Sequence, residues 1–176
     1  HIHVVNQQHT PDNFPFDLPE TWTARKIEEV TEYVGGYAYK SSTFLKSGKS
    51  QVIRIGNVKP MYLKLDYSPV FLPDEIAQDT EKFLLKEGDI LISMTGTKYK
   101  RDYGYACLIP KLPNNLYLYL NQRVSRLRVK GTDPRYLLYY LQIDFFRNFF
   151  FEGETGNVNQ GNVGSTNLTQ IPVAVP

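Results

Sequence analysis

Short apolar runs dominate the middle of the chain, between residues 52 and 131. Each run is bounded by Gly, Pro or Asn and has the length and composition typical of a β-strand. The runs cover residues 52–55, 89–93, 105–109 and 124–129. The pattern therefore predicts that the centre of the domain is a β-sheet.

Leucine and tyrosine alternate in a further run before this last strand. Leu116, Leu118 and Leu120 are separated by Tyr117 and Tyr119. Because successive side chains of a strand point to opposite faces, this alternation places the leucines on one face and the tyrosines on the other. We expect the leucines to face the core and the tyrosine face to be open to solvent.

One helix is indicated near the end of the chain. Asp133 and Pro134 have the residue types preferred at a helix start. Large apolar residues then recur every four positions before Gly153, at Leu137, Leu141, Phe145 and Phe149. This period predicts a single helix whose leucine and phenylalanine stripe packs on the sheet.

The remaining segments carry weaker patterns. The pattern of residues 20–30 predicts a short helix, which the glycine pair at 35–36 would end. A polar loop is predicted for residues 153–162, and a capped turn for residues 165–168. Residues 1–17 are polar and lack a period, which is typical of a linker or a poorly ordered lead. The whole pattern predicts one mixed α+β domain over residues 18–176.

Composition narrows the class of protein only slightly. The chain has 176 residues, which suits one domain, and its net charge of +2 permits a nucleic-acid partner without indicating one. The single cysteine, Cys107, lies in an apolar run and is expected to be a buried thiol in a reducing compartment. No stretch reaches the roughly 18 consecutive apolar residues of a membrane span. We expect a cytoplasmic protein that does not enter a membrane.

The residues needed for catalysis are missing from the predicted domain. No Asp or Glu is followed two positions later by Lys, as the common restriction-nuclease pattern requires, and His1, His3 and His9 all lie in the lead segment. Phosphate-binding glycine loops and dinucleotide fingerprints are also absent from the sequence. We therefore predict no catalytic residue, no metal site and no cofactor.

One short element resembles an enzyme motif. Residues 133–136 read Asp-Pro-Arg-Tyr, one residue away from the Asp-Pro-Pro-Tyr element with which adenine methyltransferases hold a flipped base. Helix capping alone accounts for the aspartate and the proline. A methyltransferase also needs a cofactor-binding α/β domain, for which the sequence has no room. The alternative is that this element belongs to an enzyme that acts on a nucleotide. A measurement of S-adenosylmethionine binding distinguishes this alternative from helix capping.

Seven segments in order resemble the specificity domain of type I restriction-modification systems. They lie at residues 18–22, 27–41, 53–58, 85–96, 121–124, 136–141 and 156–176, the last including Gly156, Gln160, Asn162 and Val163. The resemblance implies the fold of DNA methylase specificity domains, a mixed, strongly twisted β-sheet with a few packed helices. It also implies a non-catalytic target-recognition domain that reads one half of a bipartite site in double-stranded DNA. The methyltransferase (M) subunit and the restriction (R) subunit are the implied partners.

Reading DNA requires cations for the phosphates and polar side chains for the base edges. The richest segment is residues 97–104, which lies between predicted strands. Its candidate DNA-binding residues are Lys98, Tyr99, Lys100, Arg101 and Tyr103. A solvated hairpin is the alternative interpretation of the same composition.

Two further loops offer candidate DNA-binding residues. Residues 37–43 supply Tyr39, Lys40 and Ser41, although an ordinary surface loop would have a similar composition. Residues 157–162 supply Asn159, Gln160 and Asn162, whose amides could read adenine. Asn and Gly are equally what a tight turn requires.

A different class of function fits the same aromatic content. Tyr and Arg are enriched at protein–protein interfaces, so exposed tyrosines would also suit a protein-interaction module that makes no DNA contact. Neutralising Lys98, Lys100 and Arg101 separates the two hypotheses, because only DNA binding depends on these charges.

Overall fold

The computed structural model describes Phe14 and residues 16–176. Within this part of the chain, helices and strands are interspersed, which confirms the mixed α+β class. The first half contributes β1 (Thr23–Lys26), α1 (Ile27–Val30), β2 (Thr31–Gly35), β3 (Ser50–Ile53), β4 (Val58–Lys59), β5 (Tyr62–Leu63), α2 (Asp74–Asp79), β6 (Ile90–Ser93) and β7 (Thr95–Gly96). The second half contributes β8 (Ala106–Leu108), β9 (Tyr117–Leu120), β10 (Val124–Val129), α3 (Pro134–Tyr140), α4 (Asp144–Glu152), β11 (Glu154–Asn157), β12 (Gln160–Val163), α5 (Ser165–Thr169) and β13 (Pro172–Val175).

The strands form several small sheets. The central one is antiparallel with the order β2-β10-β6-β8, and β3 pairs with β9 in the parallel direction. The strands β11, β12 and β7 form a third sheet, while β1-β13 and β4-β5 are antiparallel pairs. The predicted central strands are all present, but the strand predicted for residues 52–55 begins and ends two residues earlier, at Ser50 and Ile53.

The central sheet is buried on both faces, which explains its nearly continuous apolar runs. On β6, Ile90 and Ile92 face a large core with α3 and α4, whereas Leu91 faces a second core that contains Cys107. The prediction of a buried Cys107 is confirmed. Burial raises the pKa of this thiol to about 12, so the thiol is neutral at physiological pH.

The predicted helix near the end of the chain is two helices. The chain leaves the helical conformation after α3 and re-enters it at Asp144, after an extended Ile143 with ψ of 150°. The break moves the buried stripe by one position, so Phe146 and Phe150 are fully buried. Phe145 and Phe149, which were predicted for the stripe, lie partly buried at its edge.

The helix predicted for residues 20–30 is mostly strand. Only Ile27–Val30 is helical, and β1 and β2 flank it directly. The pairing of β1 with β13 and of β2 with β10 overrides the weak helical pattern, and the β-branched and aromatic content of β2 favours this outcome. The glycine pair therefore lies at the end of a strand instead of ending a helix, with Gly35 as the last residue of β2.

The tyrosine face of β9 is only partly open. Tyr117 is 43% exposed, but Tyr119 is 7% exposed and packs with Tyr39, Val52 and Leu72 in a third core cluster. The prediction of an exposed tyrosine face was wrong for Tyr119, because the segment between β3 and β6 folds over that face. Leu118 and Leu120 are buried, as predicted.

Two kinds of feature are absent from the described residues. No helix in this part of the chain has the length and apolar character that crossing a membrane requires. The same residues contain no cluster of three or more His, Cys, Asp or Glu side chains that could hold a metal ion. The lead histidines His1, His3 and His9, and most of the predicted linker, lie outside the described residues.

Candidate nucleic-acid interface

Two of the three predicted DNA-binding segments form one surface. The strand β12 pairs with β7, with Gly161 opposite Gly96 and Asn162 opposite Thr95. The residues predicted as a polar loop are thus a β-hairpin of β11 and β12, which lies against the basic loop that follows β7. We call residues 97–104 together with the hairpin 154–163 the loop–hairpin surface.

Glu154 joins the two parts of this surface. Its Oε2 accepts a hydrogen bond of 2.5 Å from the Tyr103 hydroxyl, and its Oε1 accepts one of 3.0 Å from the Tyr99 backbone N–H. Burial, and then the neighbouring Glu154, raise the pKa of the Tyr103 hydroxyl, which therefore remains a donor. Tyr103 is 1% exposed. Its prediction as a DNA contact was wrong, because the ring is enclosed and organises the loop.

The contact between the loop and the hairpin leaves no space for a side chain at Gly161. A Cβ atom at this position would lie 2.5 Å from Glu154 Oε2 and 2.8 Å from the Tyr103 hydroxyl. It would also lie 3.0 Å from the Lys98 Cα. Glycine is therefore required by the close approach of the two segments.

Arg147 on α4 fixes the C-terminal end of the basic loop. Its Nη1 donates to the Gly104 carbonyl at 3.0 Å, and its Nη2 donates to the Arg101 carbonyl at 3.0 Å. The guanidinium also lies over the Phe151 ring, 5.1 Å from its centroid. Tyr99 and Arg101 have left-handed backbone conformations with φ of 67° and 51°. Such conformations persist only where the surrounding contacts determine them, so the backbone of this loop has a fixed conformation.

The three cations of the loop have different surroundings. Lys98 Nζ donates to the Gly156 carbonyl at 2.9 Å, and Arg101 Nη1 donates to Asn148 Oδ1 at 2.8 Å. Lys100 is exposed, and within the described chain its side chain makes no hydrogen bond or ion pair. Beside them, the Tyr99 side chain is 81% exposed. The surface therefore presents positive charge and an open aromatic ring on a fixed backbone.

The amide side chains of the hairpin divide into two groups. Asn162 Oδ1 accepts hydrogen bonds from Thr95 Oγ1 at 2.9 Å and from Gln160 Nε2 at 3.3 Å, so Asn162 helps to hold β12 on β7. Asn159 is exposed at the turn, where its backbone N–H is held by Asn157 Oδ1 at 3.0 Å. Asn159 therefore has its amide free to face a ligand, whereas the Asn162 carbonyl oxygen is occupied.

The third predicted segment belongs to a different part of the fold. Tyr39 is 7% exposed, and its hydroxyl donates to Thr80 Oγ1 at 2.8 Å. Burial raises the pKa of Tyr39 to about 12. Its prediction as a DNA contact was wrong, because the ring fills the third core cluster next to α2. Lys40 and Ser41 are exposed beside it.

The element that resembles a methyltransferase motif has a structural role. The Asp133 carboxylate accepts a hydrogen bond of 2.7 Å from the Arg135 backbone N–H, which makes it the N-cap of α3 as predicted. The Tyr136 hydroxyl donates to the Ala174 carbonyl and so ties α3 to β13. Both residues are thus used inside the fold.

Sequence reasoning missed two residues that build this surface, Glu154 and Arg147. Their partners lie 51 and 43 positions away along the chain, and no local pattern connects them. It also missed a groove of about 200 Å³ beside the loop, lined by residues that include Ile55, Gly56 and Lys59. The lysine in the groove adds to the positive charge of the loop.

Comparison with known proteins agrees with this architecture. Residues 19–176 match the family described as the type I restriction modification DNA specificity domain. The chain is 28% identical over 161 residues to the type I restriction enzyme EcoAI specificity subunit of Escherichia coli, covering 90% of this chain and 26% of that subunit. It is 28% identical over 138 residues to the MjaVIII specificity subunit of Methanocaldococcus jannaschii, covering 74% of this chain and 30% of that subunit.

Solved structures show the same fold. A chain from a structure concerned with assembly and conformational transition of the type I R-M system superposes with a TM-score of 0.66 at 18% identity. The HsdS subunit from Thermoanaerobacter tengcongensis gives a TM-score of 0.61 at 17% identity. Each match covers 94% of this chain and 36% of the other. The chain thus spans about a third of these structures and belongs to the family of type I restriction-modification DNA specificity domains.

Proposed function

We propose that this domain binds double-stranded DNA in a sequence-specific manner through the loop–hairpin surface. It reads one half of a bipartite site and catalyses no reaction itself. Its partners in this role are a methyltransferase subunit and a restriction subunit. The observation that carries the proposal is the convergence of Lys98, Lys100 and Arg101 with the exposed Asn159 on one fixed surface.

The surface offers both kinds of contact that DNA reading needs. The ammonium and guanidinium groups suit backbone phosphates, which position a protein on the duplex. The amides of Asn159 and Gln160 suit adenine edges in the major groove. Because the backbone of both segments is fixed by Glu154 and Arg147, these groups are arranged before DNA arrives. Preorganisation of this kind lowers the entropic cost of binding.

The charge of the domain sets the expected strength of binding. A net charge of +2 over 176 residues gives little long-range attraction, so the isolated domain should bind weakly and with strong salt dependence. A second linked recognition domain would raise the affinity through effective concentration.

The test is a titration with random-sequence duplex DNA at several salt concentrations. The variant carries Lys98→Gln, Lys100→Gln and Arg101→Gln, and the control carries Arg25→Gln, Lys111→Gln and Lys130→Gln. Both variants lose three positive charges, and all six positions are exposed except that of Lys98, which is half-buried. Since each lost phosphate contact lowers the slope of log affinity against log salt by about 0.9, the loop variant should lose up to about 2.7 and the control should not. Equal behaviour of the two variants would contradict the proposal.

A protein-interaction module is the second candidate, because several tyrosines are exposed. Tyr99 is 81%, Tyr139 64% and Tyr62 55% exposed. A contact driven by these rings would survive the loss of the three cations and would weaken when Tyr99 is replaced by Ala. Absence of DNA binding by the wild-type domain at low salt, together with retention of a protein partner by the triple variant, would favour this candidate.

A further inference from the structure

A second cleft continues from the groove beside the basic loop. The two cavities share Ile55 and Gly56 in their walls. The second cavity has a volume of about 570 Å³. Its polar wall is formed chiefly by Arg54, Asn57, Ser68, Asn121, Gln122 and Arg123. No acidic residue lines it, so two arginines make the cleft positive.

Arg54 is held at one wall of the cleft. Its Nη2 donates to the Ser68 carbonyl at 2.6 Å, and its backbone N–H donates to Asn57 Oδ1 at 2.9 Å. Asn57 in turn donates to the carbonyls of Lys64 and Tyr67, so the wall is cross-linked by hydrogen bonds. A guanidinium has five N–H donors, and this contact uses one of them. The remaining donors are available to an anion.

Arg123 also lines the cleft, and its side chain has no hydrogen-bond or ion-pair partner among the described residues. Its backbone is left-handed, with φ of 70°, and its carbonyl accepts a hydrogen bond of 2.8 Å from the Met94 N–H. Among the described residues, no side-chain hydrogen bond or ion pair involves its guanidinium, and the residue is exposed. A non-glycine residue in this conformation is uncommon and indicates that the surrounding structure imposes it. The turn therefore directs an unpaired cation to the rim of the cleft.

Asn121 adds an amide to the same cleft. The residue is 8% exposed, its backbone N–H donates to the Ile53 carbonyl at 3.2 Å, and its side chain makes no hydrogen bond in the part of the chain that the structure describes. The amide is not among the fully buried polar groups that lack a partner, so it is open to the cleft. An accessible amide in a cleft lined by two arginines can donate to an oxyanion.

We propose that this cleft binds a phosphate of the DNA backbone, with Arg54 and Arg123 supplying charge and Asn121 supplying an amide donor. The inference rests on the proposed function, since it extends the same DNA path from the loop–hairpin surface through the wall at Ile55 and Gly56. Phosphate oxygens suit this donor set because guanidinium groups bind them in a bidentate manner. A phosphate contact adds affinity for every sequence equally.

The experiment compares the salt dependence of binding to random-sequence duplex DNA for the wild type, Arg123→Gln, and the double variant Arg54→Gln/Arg123→Gln. The expected loss of log–log slope is about 0.9 for the single variant and about 1.8 for the double variant. Arg25→Gln/Lys111→Gln is the charge-matched control and should keep the wild-type slope. Arg123→Lys should also keep it, because lysine retains the charge.

The outcomes separate the two proposals. Wild-type binding that depends on Lys98, Lys100 and Arg101 but not on Arg123 would overturn the phosphate cleft and leave the proposed function standing. Absence of wild-type binding at low salt would overturn both. An Arg123→Gln effect confined to particular selected sequences would assign Arg123 to base reading and overturn the phosphate contact. Arg123→Gln changes an exposed side chain that makes no hydrogen bond or ion pair in the described fold, so its melting temperature should equal that of the wild type.

Discussion

The Tyr103 hydroxyl and the Glu154 carboxylate share a hydrogen bond of 2.5 Å across 51 positions of the chain. The second carboxylate oxygen binds the backbone of Tyr99, so one side chain holds both ends of a basic loop. Tyr103 is buried and Glu154 is half-buried, so the hydrogen bond lies at the boundary between the core and the surface. The loop and the hairpin should therefore respond to mutation as a unit.

Tyr103→Phe removes only the hydroxyl of this pair. Hydrogen bonds to charged groups contribute about 1.5–3 kcal/mol, and we expect the free energy of unfolding to fall by that amount. Urea unfolding at neutral pH measures it. Tyr117→Phe is the control, since Tyr117 is 43% exposed and its hydroxyl has no hydrogen bond within residues 16–176. Equal stability of the two variants would show that the contact contributes nothing.

Gly161→Ser should disrupt the same contact by steric overlap. The added Cβ would lie 2.5 Å from Glu154 Oε2, so the hairpin must move away from the loop. Gly164→Ser is the matched control, because nothing lies within 4 Å of a Cβ at that position. Serine is also a favourable N-cap for α5 there. We expect a fall in melting temperature for the first variant only, and a fall in both would refute the steric argument.

Lys100 and Lys98 should differ in their effects although both lie in the basic loop. The Lys100 side chain makes no hydrogen bond or ion pair in the described structure, so Lys100→Ala should lower the salt slope of DNA binding by about 0.9 and leave stability unchanged. Lys98 donates to the Gly156 carbonyl, so Lys98→Ala should also increase amide hydrogen exchange in the hairpin. A loss of stability in Lys100→Ala would show that this lysine has a structural role.

The thiol of Cys107 should be unreactive in the folded protein. Its thiol is buried and its pKa is raised from 9.0 to about 12, so iodoacetamide at pH 8 should label it only after unfolding. The unfolded chain loses the thiol proton first as pH rises through about 9, so this group lowers stability between about pH 9 and 12. Comparison with Cys107→Ala over that range measures the effect. Labelling of the native protein at the rate of a free thiol would contradict the burial.

The interruption between α3 and α4 determines how strongly substitutions at two neighbouring residues should lower the free energy of unfolding. Phe146 is fully buried, and Phe146→Ala should lower the free energy of unfolding by about 3–5 kcal/mol. Phe145 is only partly buried, so Phe145→Ala should cost clearly less. A continuous helix with the four-residue stripe would give the opposite order. Denaturant unfolding of both variants decides between them.

Local chemistry accounts for the parts of the fold that the sequence alone could predict. Asp133 caps α3 because its own side chain reaches the backbone two residues later, and such a signal is complete within a few residues. The strands β6 and β10 were equally clear from their apolar runs. The break at Ile143 was hidden because leucine and phenylalanine continue through it, and only packing on the sheet chooses which ring is buried.

The roles of the candidate site residues were harder to predict from the sequence than the fold. Lys98, Lys100 and Arg101 were identifiable from charge alone, but the roles of Tyr39 and Tyr103 were not. A tyrosine in a polar loop can face solvent or fill a core, and its partner decides which. Here the partners are Thr80 and Glu154, each more than 40 positions away. Residues 121–123 carried the family resemblance, yet only the fold places them beside Arg54.

The pairing of β1 with β13 brings the two edges of the domain together, with Thr23 opposite Val175. The first and last strands of the described domain therefore lie side by side, joined by one antiparallel strand pair. A unit with neighbouring ends can be exchanged for another of the same kind without displacing what flanks it. The neighbouring ends of this domain are thus compatible with its insertion into, or exchange within, a longer chain.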